Sequence, residues 1–516
     1  MNYPVWELEL GGGLLIALVA VTHVFVSHFA VGGGLFLVVA EGRAYRRDDA
    51  ALLAWLRRHA KFFALLTLVF GVISGVGIWF TIGLVHPAAT SALIHIFVWG
   101  WAIEWVFFFV EIGASLIYAA TWDRVDRRTH LAIGWIYFGA AFMSLVVING
   151  ILTFMFTPGA WLATRSFTDA FFNPTYWPSL LVRTLACIAF AGLYVFATAW
   201  REPLESRPAL VRYAALWAIP ALIVGPLAAW LYFRMGPEAF TVGGAIHATA
   251  IALRLVMISA ASLAVLLAAV ALVARRSPAV VSLPTGLVLL ALGLTTIGSG
   301  EFIRESLRKP YVIGNPQAGY MYLNALTPAE VVATRKDGLL GAAKWGPPAD
   351  GAGDDRAAGA AVFRLACRGC HTVGGYRAIR NYVGGKSVEA IATMVRTLDK
   401  RTGRMPPFPG TEAEQRQLAL YLAGLSGVME APSPSPAGDA LAAGKKQMEG
   451  FCLSCHVLEG PQADNPLKPK IRGWSAEQAY DRIGRLSKLN PAMMDFDGTD
   501  ADRQSLAAYL AHLAAE

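Results

Sequence analysis

Charge is scarce in this chain. Of its 516 residues, 16% are Asp, Glu, Lys or Arg, against about a quarter in soluble globular domains. That deficit excludes a soluble enzyme of ordinary composition. With 55% hydrophobic residues and a mean hydropathy of +0.48, the chain reads as a membrane protein long enough for several spans plus attached modules. Cysteine is scarce too. Four of the five cysteines fall in two C-x-x-C-H motifs, and Cys187 stands alone in an apolar run, which excludes a disulfide framework. The first apolar run is too long for a cleavable signal peptide and lacks a small-residue cleavage site, so it reads as a retained anchor. The net charge of +8 is no nucleic-acid signal, because the basic residues sit in short loops between apolar segments.

Long apolar runs, by contrast, are abundant. Eight reach the roughly 20 residues a bilayer requires, at 11–40, 61–84, 92–120, 131–156, 178–200, 211–233, 245–273 and 284–303. They are expected to be helices, since backbone polar groups in lipid must bond within the chain. The first, third, fifth and seventh loops hold Arg43, Arg46, Arg47, Arg57, Arg58, Lys61, Arg124, Arg127, Arg128, Arg201, Arg207, Arg212, Arg275 and Arg276. The other three short loops hold Arg165 and Arg234. The rich side is expected to be cytoplasmic. Both termini, and everything after residue 304, then face the periplasm of a bacterial inner membrane.

That placement matters for the tail. "FRLACRGCHTVGG" (Phe363 to Gly375) and "FCLSCHVLEG" (Phe451 to Gly460) each carry C-x-x-C-H, the attachment signal for c-type haem. Such attachment takes place outside the bacterial cytoplasm, in agreement with the charge count. Cys367 and Cys370, and Cys452 and Cys455, are the expected thioether sites, with His371 and His456 as proximal iron ligands. A zinc site would need two more ligands at suitable spacing, and apart from His512 the tail has no other histidine near either motif. Aligning "GRMPPFPGTEAEQRQLALYLAGL" with "NPAMMDFDGTDADRQSLAAYLAHL" on their Phe and Gly residues pairs Met405 with Met493 as distal ligands; Met494 is the fallback. Both modules resemble small class I cytochromes c, over 355–425 and 437–516. The linker between them, placed at 426–436, runs on into the Pro/Ser/Ala stretch "MEAPSPSPAGDA" (Met429 to Ala440).

Ionisable residues inside spans are costly and functional by default. Here they are His23, His28, Glu104, Glu111, Arg183, Arg254 and Glu301, with His95 and His247 near the outer face. Glu104 and Glu111 are seven apart, almost two helical turns. Both carboxylates therefore share one face about 10 Å apart, an arrangement suited to a proton path or to haem ligation. Arg183 can snorkel outward, or pair with a haem propionate or with Glu111. His28 reads as structural or as a hydrogen-bond partner, Cys187 as a small apolar filler, and Trp161 and Trp177 as interfacial anchors.

Residues 1–320 resemble the first subunit of cytochrome bd quinol oxidases. "ALVAVTHVFVSHFAVGGGLFL" is similar to that family's first helix, whose haem-binding His corresponds to His23. "FGVISG" resembles its second helix, "AIEWVFFFVEIGASLIYAATWDRV" its third, "VINGILTFMFTPG" the end of its fourth, and "ESLRKPYVIG" the Glu-x-x-Arg-x-Pro-aromatic segment after its eighth. Glu111 keeps the family distance to Trp122, whereas Glu104 lies one residue closer than the family's first acid. The departures are as informative. Arg183 stands where the family has the His of its low-spin haem b. If Arg254 matches the family's Arg, Val256 replaces the Met ligand, with Met257 one residue off. The long loop associated with quinol binding is reduced to 234–246, the family glutamate of helix eight falls on Gly298, and a ninth helix is missing.

These readings combine into an all-α expectation: an eight-helix transmembrane bundle (1–325), a connector (326–354) and two small helical cytochrome c domains. The expected cofactors are two covalent haem c and at least one non-covalent haem b or d held by His23. Glu104 and Glu111 are expected to carry protons, and Arg183 and Arg254 to contact cofactor. Lost quinol features beside retained His and acids imply electrons entering from a periplasmic c-type cytochrome or other redox protein and reducing O2 or another small acceptor. Quinol oxidation with outward flow, and a non-catalytic electron-carrying subunit, are the alternatives. A second membrane subunit and a quinone are partners implied by the resemblance alone.

Overall fold

The computed structural model describes residues 5–236, 246–276, 281–307, 311–313, 320–344, 354–401, 405–426, 440–454, 456, 458, 466–490, 493, 495–496 and 498–515. Cys455, Met494, the greater part of the inter-module linker and most of the 234–246 loop lie outside the described residues, as does the side chain of His247.

Eight helices among the described residues are long and apolar enough to cross a membrane. The first is α1 (Gly12–Arg47). The second crossing is composite: α2 (Ala50–Leu65), a π-helical turn (Leu66–Gly71) and α3 (Val72–Val85). It begins eleven residues earlier than the apolar run at 61–84, because Asp49 accepts from the backbone N–H of Leu52 and caps a helix that carries Arg57, Arg58 and Lys61 beyond the apolar zone. After the short α4 (Pro87–Ile96) come α5 (Val98–Ala120) and α6 (Arg127–Phe154). Two short helices, α7 (Trp161–Thr164) and α8 (Phe167–Phe171), precede α9 (Tyr176–Ala199), α10 (Arg207–Arg234), α11 (Ile246–Arg276) and α12 (Leu283–Leu307).

The bundle is organised around α9, which packs on α1, α10 and α12. Its closest approach to α1 is at Gly32, where a Cβ would lie 1.8 Å from the Cys187 carbonyl oxygen, so only glycine permits this crossing. Cys187 is buried in the core beside it, as its filler reading anticipated. Trp177 is exposed as an anchor should be. Trp161 departs from that reading: it is 4% exposed, packed on Phe154 and Tyr320 with the Arg165 guanidinium over its ring.

Strands β1 (Tyr311–Ile313) and β2 (Met321–Tyr322) form a small antiparallel pair that hydropathy does not reveal. Next come α13 (Pro328–Asp337), opened by a Thr327–Glu330 capping box, and α14 (Leu339–Ala342). The segment read as a connector is packed into the first c module. Leu326, Val331 and Leu339 share one buried cluster with Phe363 and Leu418, and the Glu414 carboxylate accepts from the N–H groups of Leu339 and Leu340.

The first module comprises α15 (Asp355–Ala366), α16 (Arg380–Val383), α17 (Val388–Arg396), α18 (Leu398–Arg401) and α19 (Glu412–Ser426). The second comprises α20 (Ala440–Gly450), a 3-10 turn (Cys452–Ser454), α21 (Lys468–Ile471), α22 (Ala476–Ile483), α23 (Leu486–Leu489) and α24 (Asp500–Ala515). In each module the first and last helices cross at a glycine. A Cβ on Gly359 would meet the Gln417 carbonyl oxygen at 2.0 Å, with the Tyr421 side chain beside it. A Cβ on Gly444 would meet the Ser505 carbonyl oxygen at 2.0 Å, with Tyr509 beside it. The two modules thus repeat one architecture at a level the C-x-x-C-H motif does not encode.

Candidate haem and proton sites

His23 projects from α1 toward the segment that follows the π-helical turn. Its Nδ1 lies 3.1 Å from Ser74 Oγ, and the Ser74 hydroxyl donates to the Phe70 carbonyl at 2.7 Å. Because the serine proton is committed there, Nδ1–H of His23 is the donor and Nε2 keeps its lone pair. Gly75 adjoins the ring, where a Cβ would sit 3.1 Å from Cε1. His28 is 3% exposed. Its Nδ1 donates to the Val24 carbonyl at 2.7 Å and its Nε2 is buried with no hydrogen-bond partner. The expectation of a hydrogen-bond partner is met on one side of the ring; the other side is chemically unused. An iron-ligating imidazole needs its Nδ1–H held and its Nε2 lone pair available, and the His23 ring, held through Nδ1 by Ser74, is compatible with that role. His95 donates to the Ser91 carbonyl and is exposed.

Glu104 and Glu111 both take partners from α6. The Ser144 hydroxyl donates to Glu104 at 3.0 Å, and the Tyr137 hydroxyl lies 3.2 Å from a Glu111 oxygen and 3.0 Å from the Ala30 carbonyl, which share its one proton. Acceptors and donors are each seven residues apart on antiparallel helices, so one packing register sets both pairs. Arg183 does not snorkel, nor does it meet Glu111. It is 7% exposed and donates to Glu301 at 2.9 Å, while Arg304 donates to the other Glu301 oxygen at 2.9 Å. The Nε of Arg183 remains buried without a partner. Arg254 is exposed on α11, and among the described residues it takes no part in that network. Val256, which stands for the Met in the resemblance, and the neighbouring Met257 are also exposed, so neither position faces the bundle.

Two buried clusters escaped sequence reasoning. Glu41, His130 and Tyr118 meet where α1, α5 and α6 converge: Tyr118 donates to Glu41 at 2.6 Å, His130 Nδ1 lies 2.7 Å from the other oxygen, and His130 Nε2 faces the Tyr118 carbonyl at 3.1 Å. His59 stacks on Trp55 at 4.5 Å and bonds Thr198 through Nδ1. Glu41, His59 and His130 lie near the basic loops, where a charged residue reads as loop; burial next to complementary groups was the missing signal.

In the first module α15 ends at Cys367, and the His371 N–H bonds back to the Cys367 carbonyl at 2.9 Å. His371 is 7% exposed and its Nδ1 donates to the Arg377 carbonyl at 3.1 Å. Burial lowers its pKa, keeping the imidazole neutral for metal. Burial, with Cys370 adjacent, pushes the Cys367 thiol up to about 12. In the second module the His456 N–H bonds to the Cys452 carbonyl at the same 2.9 Å, and His456 is 6% exposed. Met405 and Met493 each stand six positions before a threonine, Thr411 or Thr499, that pairs with the acid three residues on, Glu414 or Asp502. In both modules the buried histidine beside the attachment cysteines fits a haem c.

The first attachment loop rests on the membrane bundle. The Tyr376 N–H donates to the Leu10 carbonyl at 3.2 Å, Arg368 to the Leu8 carbonyl at 3.4 Å, and a Cβ on Gly369 would lie 3.5 Å from the His86 ring.

Residues 14–242 match the family model of cytochrome bd terminal oxidase subunit I, and residues 354–422 and 439–510 match that of cbb3-type cytochrome c oxidase subunit III. Among solved structures, the bd oxidase from Geobacillus thermodenitrificans is similar in fold, with a TM-score of 0.51 at 16% identity over 58% of this chain and 87% of that one. No curated protein matches the chain significantly. One chain thus carries a membrane segment similar to cytochrome bd oxidase subunit I, followed by two segments similar to cytochrome c modules.

Proposed function

We propose that this membrane-bound respiratory oxidoreductase works inward: a periplasmic c-type cytochrome or other redox protein supplies electrons to the c modules, and the bd-like domain reduces O2 or another small acceptor. The observation that carries this reading is the seating of the first attachment loop on Leu8, Leu10 and His86, at the outer ends of α1 and α3. Gly12, the first residue of α1 beside that loop, stands eleven residues before His23 on the same helix, roughly 16 Å along its axis. The loss of the Met and His positions of the family's low-spin haem, and of the quinol loop, supports the same direction.

Haem supplies the one-electron chemistry when bound. Cys367, Cys370, Cys452 and Cys455 would hold it covalently in the modules, with His371 and Met405, and His456 and Met493, on the iron. His23 would hold a haem b or d in the membrane, its tautomer fixed by Ser74. Arg183 has an unpaired Nε to offer a haem propionate. Glu104 and Glu111 hold and pass protons at their carboxylates, each steadied by a hydroxyl of α6.

Haem stoichiometry and electron donor decide the matter. Two covalent haems, at least one non-covalent haem, and oxidation of a soluble cytochrome c coupled to O2 or NO consumption are expected. Reduction of haem c by quinol alone would reverse the direction. Haem c with no haem b or d would make the chain a carrier subunit.

A further inference from the structure

We propose that Lys386 is a positioning residue that latches the second haem-attachment loop onto the first c module, so that the two modules stand in series and the second reaches the membrane half through the first. Lys386 is a first-module residue, 7% exposed, yet its ammonium reaches into the second module. Nζ donates to the Leu453 carbonyl at 2.6 Å and to the His456 carbonyl at 3.2 Å. Both acceptors belong to the segment that carries Cys452 and His456.

Lysine is almost never buried unless its charge is compensated, because removing an ammonium from water is expensive. Two charge-assisted bonds to carbonyls offset that cost, and each is stronger than a neutral bond. The local backbone delivers the side chain. Helix α16 ends at Val383, Gly384 follows, and Gly385 takes φ +70, a left-handed conformation that favours glycine. This reversal places Lys386 directly before Ser387, which caps α17 by accepting from the Ala390 N–H. Helix α17 in turn packs on α20 and on the Cys452–Ser454 turn. The latch and the packed helix therefore hold the same loop from one side. The first module's own attachment loop meanwhile contacts Leu8, Leu10 and His86 of the membrane half. A cation bonded to the carbonyl of the iron-bearing histidine also disfavours added positive charge on the iron, and so favours its reduced form.

This inference rests on His456 as an iron ligand, and the test separates the two. The full-length, haem-loaded protein and its Lys386→Met and Lys386→Arg variants are compared by amide hydrogen exchange and by redox titration of the covalent haems. Lys386→Met is expected to lose protection over 452–458 and to shift one haem c midpoint to lower potential, with the other unmoved; Lys386→Arg is expected to retain both properties. Unchanged exchange and unchanged midpoints in Lys386→Met would overturn the latch. So would protection lost evenly across both modules in both variants, which would make Lys386 a folding residue. A chain carrying one covalent haem would overturn the haem reading of His456, while the exchange data would still report on the latch.

Discussion

Arg183 and Glu301 meet at 2.9 Å between α9 and α12, and Arg304 occupies the second oxygen of the same carboxylate. The arginine that the family resemblance sets against a haem-ligating histidine thus has a partner within the bundle. Glu301 bridges two cations, so losing Arg183 leaves it a partner, whereas losing Glu301 takes the shared carboxylate from both.

That asymmetry predicts an order of effects. Arg183→Leu removes one charge-assisted bond and leaves Glu301 with Arg304, at a cost of roughly 1.5–3 kcal/mol. Glu301→Gln leaves two buried guanidinium groups facing a neutral amide, which places it in the range of about 3–5 kcal/mol for breaking buried pairs. Thermal unfolding of the two variants in detergent should rank them in that order.

Glu41→Gln tests the cluster near the basic loops. His130 and Glu41 are 1% and 0% exposed, and the carboxylate also accepts from Tyr118. Its loss is expected to destabilise the bundle by about 3–5 kcal/mol, with covalent haem content unchanged because the modules fold around separate clusters. A variant as stable as the parent would show that the cluster contributes nothing net.

Gly359→Ala and Gly444→Ala probe the helix crossings of the c modules. A new Cβ 2.0 Å from a backbone carbonyl oxygen forces the helices apart, at about 1–3 kcal/mol or more. Each change is expected to lower covalent haem occupancy in its own module alone, readable by mass spectrometry of the two haem peptides.

Ser74→Ala removes the acceptor that fixes the His23 ring. Loss of such an outer partner typically costs 10–100-fold in affinity. Non-covalent haem should dissociate more readily than from the parent, whereas His23→Ala should abolish it. An optical spectrum identical to the parent in His23→Ala would remove His23 from the site.

The eight crossings and the two cytochrome c modules were legible in the sequence because both are written locally. A span is a matter of length and hydropathy, and a C-x-x-C-H motif carries its chemistry within five residues. Spacing alone also put Glu104 and Glu111 on one face. Their partners Ser144 and Tyr137 were not legible, because they follow from the register between α5 and α6.

The sequence by itself therefore determined the membrane bundle, the two haem c modules and the one-sided arrangement of the intramembrane acids. Tertiary structure alone decided that Arg183 binds Glu301, that Glu41 meets His130 from another helix, that residues 326–342 belong to the first module, and that Lys386 crosses to the second. The physical reason is that hydropathy and motif spacing report on a segment's own solvent and chemistry. Which side chains meet depends on the rotation and offset of whole helices, fixed by close contacts such as Gly32 on Cys187 that no single segment encodes.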